Sequence, residues 1–226
     1  MTRKPGPPSP AGEPRAPLVG VVEDDPSVSE GLSSLLRSVG HEVVVFNSPA
    51  AFLKAAGSSP PDCLVVDIRL PGMSGLEFQA QLARRSSVIP IVFMTGHGDI
   101  EMSVRAMKGS AIDFLEKPFR DQDMLDAVAI AIARAHRLQA EDRGNAAARA
   151  AFEALTPREK EVMAFVTAGL MNKQVAAEIG VSEITVKIHR GNLMRKMGVK
   201  SLADLVRIAD ALGLSVPQQR NTSSPQ

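Results

Sequence analysis

Five short apolar runs punctuate the first half of the chain: LVGVV (18–22), EVVVF (42–46), CLVV (63–66), IPIVFM (89–94) and AIDFL (111–115). Runs of this length, rich in Val and Ile and separated by segments of helical spacing, predict buried strands. Between the first two, Val28, Leu32, Leu35, Leu36 and Val39 recur at helical intervals behind Pro26, and Gly40 stands where the helix would end. Five strands with helices between and after them predict an α/β fold, a doubly wound five-stranded parallel sheet. After residue 137 the pattern changes. Residues 138–151, LQAEDRGNAAARAA, contain no proline and suit a helical linker over 138–154, with Gly144 its weak point.

From residue 155 no strand pattern remains. Helical spacing covers 157–168, 172–179, 182–197 and 201–212, with Gly169, Gly180 and Gly198 between them. Thr156, Pro157 and Glu159 form a capping-box start for the first of these helices. The second and third are joined by GVS, the length and turn of a helix-turn-helix. The expected organisation is therefore a disordered Pro-rich tail at 1–17, an α/β unit at 18–137, the linker, a small four-helix all-α unit at 155–213, and a flexible tail at 214–226.

Charge separates the two units further. The net charge of +1 conceals eleven Lys and Arg against fifteen Asp and Glu in residues 18–137, but nine against six in 156–213. An acidic unit joined to a basic one implies two jobs, with nucleic acid as the partner of the second. Cys63 is the single cysteine, so no intrachain disulfide forms, and its apolar neighbours mark it as a packed small hydrophobe. The apolar runs fall short of a membrane span, and residues 1–17 lack the apolar core of a secretory signal; a cytoplasmic protein without membrane contact is expected.

In a doubly wound sheet the working site lies beyond the carboxyl ends of the strands. Here those ends carry Glu23, Asp24 and Asp25 on the first, Asp67 on the third, Thr95 on the fourth and, through FLEKP, Lys117 on the fifth. Clustered carboxylates repel one another unless a cation joins them, and oxygen donors from two strands suit Mg²⁺. Asp67 is the candidate phosphoryl acceptor: a carboxylate nucleophile becomes an aspartyl phosphate when metal and amine neutralise the group in transfer. Asp25 is one acid more than a pair and is expected to cap the following helix.

The motifs VVEDD, DCLVVDIRLPGMSG, MTGHGD and DFLEKPF resemble, in order and spacing, the receiver domain of bacterial two-component response regulators. The resemblance implies an acidic pair of Glu23 and Asp24, a Mg²⁺ site made by Glu23, Asp24, Asp67 and the Arg69 backbone carbonyl, and phosphorylation of Asp67 by a sensor histidine kinase. It assigns Lys117 and Thr95 to the phosphoryl site, and Thr95 with Phe114 to a switch pair. Farther on, LTPREKEV, AGLMNKQVA and SEITVKIHRGNLMRKM resemble the LuxR-type DNA-binding domain, and the pairing resembles the NarL/FixJ class.

Within 182–197 four basic residues face one acid, and Val186, Leu193 and Met197 form the core stripe. Thr185, Lys187, Ile188, Arg190 and Asn192 lie largely elsewhere and suit a major groove; Lys173, Arg195, Lys196 and Lys200 suit phosphates. By the resemblance, Lys187 and Ile188 read bases, Gly191 stands where some members carry a further contact residue, and the last helix makes the dimer contact through Leu202, Leu205, Val206 and Ala209. The expected function is a phosphorylation-dependent transcription regulator that dimerises, binds double-stranded DNA and engages RNA polymerase. The alternative is a DNA-binding or docking protein that works without phosphate. A hydrolase with an aspartyl intermediate ranks last, because IRLP after Asp67 offers no general acid two residues on.

Overall fold

The structure, a computed structural model, describes residues 15–55, 60–84, 88–96 and 111–214. The expected tails lie outside these residues, apart from Arg15, Ala16, Pro17 and Leu214.

All five strands form: β1 (Leu18–Val22), β2 (Glu42–Phe46), β3 (Cys63–Asp67), β4 (Ile91–Thr95) and β5 (Asp113–Glu116). They make one parallel sheet in the order β2-β1-β3-β4-β5. β4 begins two residues later than the apolar run, after Pro90, which has no N–H for the ladder; its carbonyl still accepts from Leu64 N at 2.9 Å. Side chains alternate across the sheet with period two. Val19, Val21, Cys63, Val65, Val92 and Met94 pack against α1 (Pro26–Ser38) and α4 (Asp121–Glu153). Val22, Leu64, Val66, Ile91 and Phe93 pack against Phe52 of α2 (Pro49–Ala55) and Phe78 and Leu82 of α3 (Gly75–Arg84). With helices on both faces, β3 and β4 are buried along their whole length, which is why they read as unbroken apolar runs.

α1 is fixed at both ends by its sequence. Asp25 accepts from Ser27 N at 2.8 Å and Val28 N at 3.4 Å, as expected of a cap, and Pro26 fills the first turn. Beyond the C-cap Val39, Gly40 takes a φ of 89°, a left-handed conformation that glycine adopts without strain.

The chain divides between Leu138 and Gln139 into two units. In the first unit α4 buries Met124, Ala127, Val128, Ala131, Ile132 and Ala135, a 3,4-spaced stripe. The helix then continues to Glu153. Gly144 lies inside it and does not interrupt it, because the alanines at 146–148 and 150–151 supply strong helix propensity.

The second unit is all helical: α5 (Pro157–Thr167), α6 (Asn172–Ile179), α7 (Glu183–Lys196) and α8 (Leu202–Ala211). Val162, Met163, Val166, Val175, Val186, Leu193, Met197, Leu205 and Ala209 close its core. This corrects part of the expected dimer stripe. Leu205 and Ala209 point into the core of their own unit and have no surface to offer a second copy; Leu202 and Val206 keep exposure. No helix among the described residues is long and apolar enough to cross a membrane.

Candidate functional site

The parallel sheet delivers its strand ends to one edge. β1 ends before Glu23, β3 at Asp67 and β4 at Thr95; the segment after β5 brings Lys117, whose backbone N–H donates to the Thr95 carbonyl at 2.6 Å. The Lys117–Pro118 peptide is cis. Lys117 Nζ donates to Glu23 Oε2 and to Asp67 Oδ2, each at 2.7 Å. Asp67 is almost fully buried, and its other oxygen, Oδ1, accepts from Arg69 N at 2.8 Å.

The three consecutive acids at the end of β1 take three different roles. Glu23 is 3% exposed, and its oxygens are engaged by Lys117 and by Asp25 N at 3.2 Å. Asp25 caps α1. Asp24 is exposed and lines, with Arg69 and Glu77, an open cleft of about 700 Å³. Glu23 was expected among the metal ligands; with both oxygens turned to protein donors it is instead the inner partner of Lys117.

Burial raises the Glu23 carboxyl above its ordinary value, against the pull of Lys117. Burial also works to lower the Lys117 pKa, but the bonds to Asp67 and then Glu23 outweigh it and the net direction is up, so the ammonium stays charged. Among the described residues no three His, Cys, Asp or Glu side chains converge as a ready metal cluster. Mg²⁺ does not require one: it takes one or two carboxylates and keeps waters. Asp24, Asp67 and the Arg69 carbonyl are all-oxygen donors of that kind. Thr95 is wholly buried at the end of β4, and Phe114 is half-buried on β5 against the cluster that holds Phe93.

In the second unit, α7 presents the expected nucleic-acid face in part. Lys187, Ile188 and Arg195 are exposed, as is Lys173 on α6. Thr185 is tied to the helix start, its N–H donating to Ser182 Oγ at 3.2 Å. Arg195 Nη2 donates to Asn192 Oδ1 at 2.8 Å. Two of the expected contact residues have partners inside the unit that spacing did not reveal. Arg190 Nη1 donates to Asn172 Oδ1 at 3.1 Å, linking α7 to the first turn of α6, and Lys196 Nζ pairs with Glu159 Oε2 at 2.7 Å. The capping-box motif revealed only half of what Glu159 does. It accepts from Thr156 N at 2.8 Å, as the box requires, and also holds the end of α7 through Lys196.

Lys196, and then the Thr156 N–H, hold the Glu159 carboxyl down to about 2 from an ordinary 4.5. A depressed folded-state pKa contributes stability that is complete above the unfolded value and is lost as pH falls through the folded one. The unit is therefore expected to lose stability between pH 4.5 and about 2. Urea unfolding at successive pH values checks this: the slope is expected to shrink in Glu159→Gln, and an unchanged slope would contradict the pairing.

A carboxylate and lysine pocket at the edge of a five-stranded parallel sheet, followed by a helix-turn-helix unit, defines a two-part signalling protein of transcription control. Residues 19–129 match the response regulator receiver domain family, and residues 153–209 match the family described as bacterial regulatory proteins, luxR family. The chain is 54% identical to Nodulation protein W of Bradyrhizobium diazoefficiens, covering 91% of this chain and 90% of that one. It is 46% identical to response regulator protein TmoT of Ectopseudomonas mendocina, covering 86% and 89%. Among solved structures, the response regulator StyR superposes with a TM-score of 0.73 at 49% identity, over 86% of this chain and 98% of that one. Full-length FixJ from B. japonicum gives 0.54 at 38% identity, over 88% and 98%. The chain belongs to the NarL/FixJ class of two-component response regulators. It is a regulator and not an enzyme; its receiver implies a sensor kinase as partner and its LuxR-type domain implies binding to DNA.

Proposed function

We propose that a sensor histidine kinase phosphorylates Asp67 in a Mg²⁺-dependent reaction and that the phosphorylated chain dimerises on DNA to control transcription with RNA polymerase. One observation supports this above the others: the Lys117 ammonium lies 2.7 Å from both Glu23 and Asp67. Held there, it keeps a buried carboxylate nucleophile paired before the reaction and offers its charge to the phosphoryl oxygens afterwards. An Asp67 oxygen attacks phosphorus, the new O–P bond replaces the P–N bond of the donor phosphohistidine, and the imidazole leaves with the electron pair. Asp24, Asp67 and the Arg69 carbonyl would hold Mg²⁺, which would supply positive charge against the same oxygens.

Phosphorylation takes Asp67 Oδ2 from Lys117 and adds negative charge beside Thr95. Thr95 and Phe114 are the pair that responds, a local charge biasing a bistable element. In the second unit Lys173, Thr185, Lys187, Ile188, Asn192 and Arg195 meet the DNA, while Arg190 and Lys196 brace α7 against Asn172 and Glu159. Leu202 and Val206 carry the contact between DNA-binding units.

Sedimentation velocity with Mg²⁺, with and without beryllofluoride as phosphoryl mimic, tests the reading. A monomer that becomes a dimer on addition is expected. A sedimentation coefficient indifferent to beryllofluoride would overturn it in favour of a receiver that works without phosphate.

A further inference from the structure

The outer face of α7 is built from residues that neither packing nor helix propensity calls for. At 100° per residue, Ile184, Ile188, Gly191 and Arg195 fall within about 60° of one another, opposite the buried Val186 and Leu193. The two isoleucines are 73% and 58% exposed. β-Branched residues are also poorer helix formers than Leu, Lys or Glu, so nothing within the unit favours them on this side.

Gly191 is the second anomaly. It lies in mid-helix, where glycine weakens the helix relative to alanine. A Cβ built on it meets nothing within 4 Å, so no neighbour in its own unit excludes a side chain. A bare backbone at that point favours close approach of something outside the chain. The exposed Lys187 and Arg195 on or beside this face make that something polyanionic.

We infer that Ile184 is a specificity-determining residue that packs on thymine methyl groups in the major groove, and that Gly191 is bare so that this face of α7 can sit close to the bases. The inference rests on α7 being the DNA reader proposed above. Residues near the start of a recognition helix meet base edges, and Ile184 is the second residue of α7. The C5 methyl of thymine is the one apolar group on the major-groove edge of the four bases, and an exposed isoleucine is matched to it chemically. Ile188, one turn on, continues the same apolar strip. Sequence preference is then carried by methyl contacts from Ile184 and Ile188, with no side chain at 191 between them and Arg195.

The test uses the full chain with Mg²⁺ and beryllofluoride. Random duplexes enriched on the wild-type protein define a bound sequence, and each thymine in it is then replaced by uracil, which removes the methyl and keeps the pairing. Uracil at one or two positions is expected to weaken wild-type binding about fourfold each. Ile184→Ala should weaken binding to the intact site by a similar factor and be insensitive to uracil at one of those positions. Gly191→Ala should raise Tm by about 4 °C yet bind the same site severalfold more weakly. A wild-type protein indifferent to uracil throughout, or a uracil penalty undiminished in Ile184→Ala, overturns the methyl contact. Wild-type affinity in Gly191→Ala overturns the close approach. Lys187→Ala separates the two levels. If it abolishes enrichment while the wild-type protein ignores uracil, α7 remains the reader and only the methyl contact falls; if the wild-type protein enriches no sequence, both readings fall.

Discussion

Asp67→Asn is expected to reduce phosphate uptake from a radiolabelled small-molecule donor to background. The substitution keeps the shape of the side chain and removes the anionic nucleophile. The amide can still accept from Arg69 N, and Lys117 keeps Glu23 as a partner, so the fold has little reason to change. Loss of labelling with an unaltered unfolding transition therefore isolates chemistry from stability. The same variant should ignore beryllofluoride in sedimentation. Asp24 is the rival acceptor, being the exposed acid of the pocket. Label retained in Asp67→Asn and mapped to Asp24 by mass spectrometry would reassign the site.

Gly75→Ala should unfold the receiver more easily by about 2 kcal/mol, the usual scale for forcing a methyl into a packed site. Gly75 opens α3 directly against the end of β3. A Cβ there would lie 2.7 Å from the Asp67 carbonyl oxygen, 3.1 Å from Ile68 Cα and 3.1 Å from the Phe93 ring. Two of these three neighbours are backbone, and they belong to the strand end that carries Asp67. Relief has to come from moving α3 or that strand end, so phosphorylation should slow together with the loss of stability. Urea unfolding measures the first, with a midpoint lower by about 1 M if the slope is near 2 kcal/mol/M. A midpoint equal to that of the wild-type protein would show that the helix start yields without cost.

Much of the fold was legible because its elements are locally determined. LVGVV, EVVVF and NKQVAAEI occupy the ranges their patterns predict, and Asp25 and Thr156 cap the helices they precede. The strand ends carrying Glu23, Asp67, Thr95 and Lys117 converge because parallel strands joined by helices bring their carboxyl ends to one edge. What stayed hidden depends on pairs distant in sequence. Lys196 and Glu159 are 37 residues apart, Arg190 and Asn172 are 18 apart, and no spacing rule joins them. The inward turn of Leu205 and Ala209 was equally hidden: an apolar stripe on the last helix fits an internal core and a dimer face alike, and only packing against α5 decides. Nor do three adjacent carboxylates state which one the strand end turns inward toward Lys117.

Cys63 gives the receiver a use that its biology does not require. It is the one thiol in 226 residues, fully enclosed at the start of β3, with burial pushing its pKa up to about 12. A thiolate reagent added to the native chain therefore meets no reactive sulfur until the sheet opens, and the rate of modification counts openings rather than surface encounters. Because Cys63 and Asp67 share a strand, whatever binds at the phosphoryl site and holds that strand in place also slows the thiol. The chain carries its own clock for occupancy of that site, readable with a thiol reagent alone and without an introduced residue or a second protein.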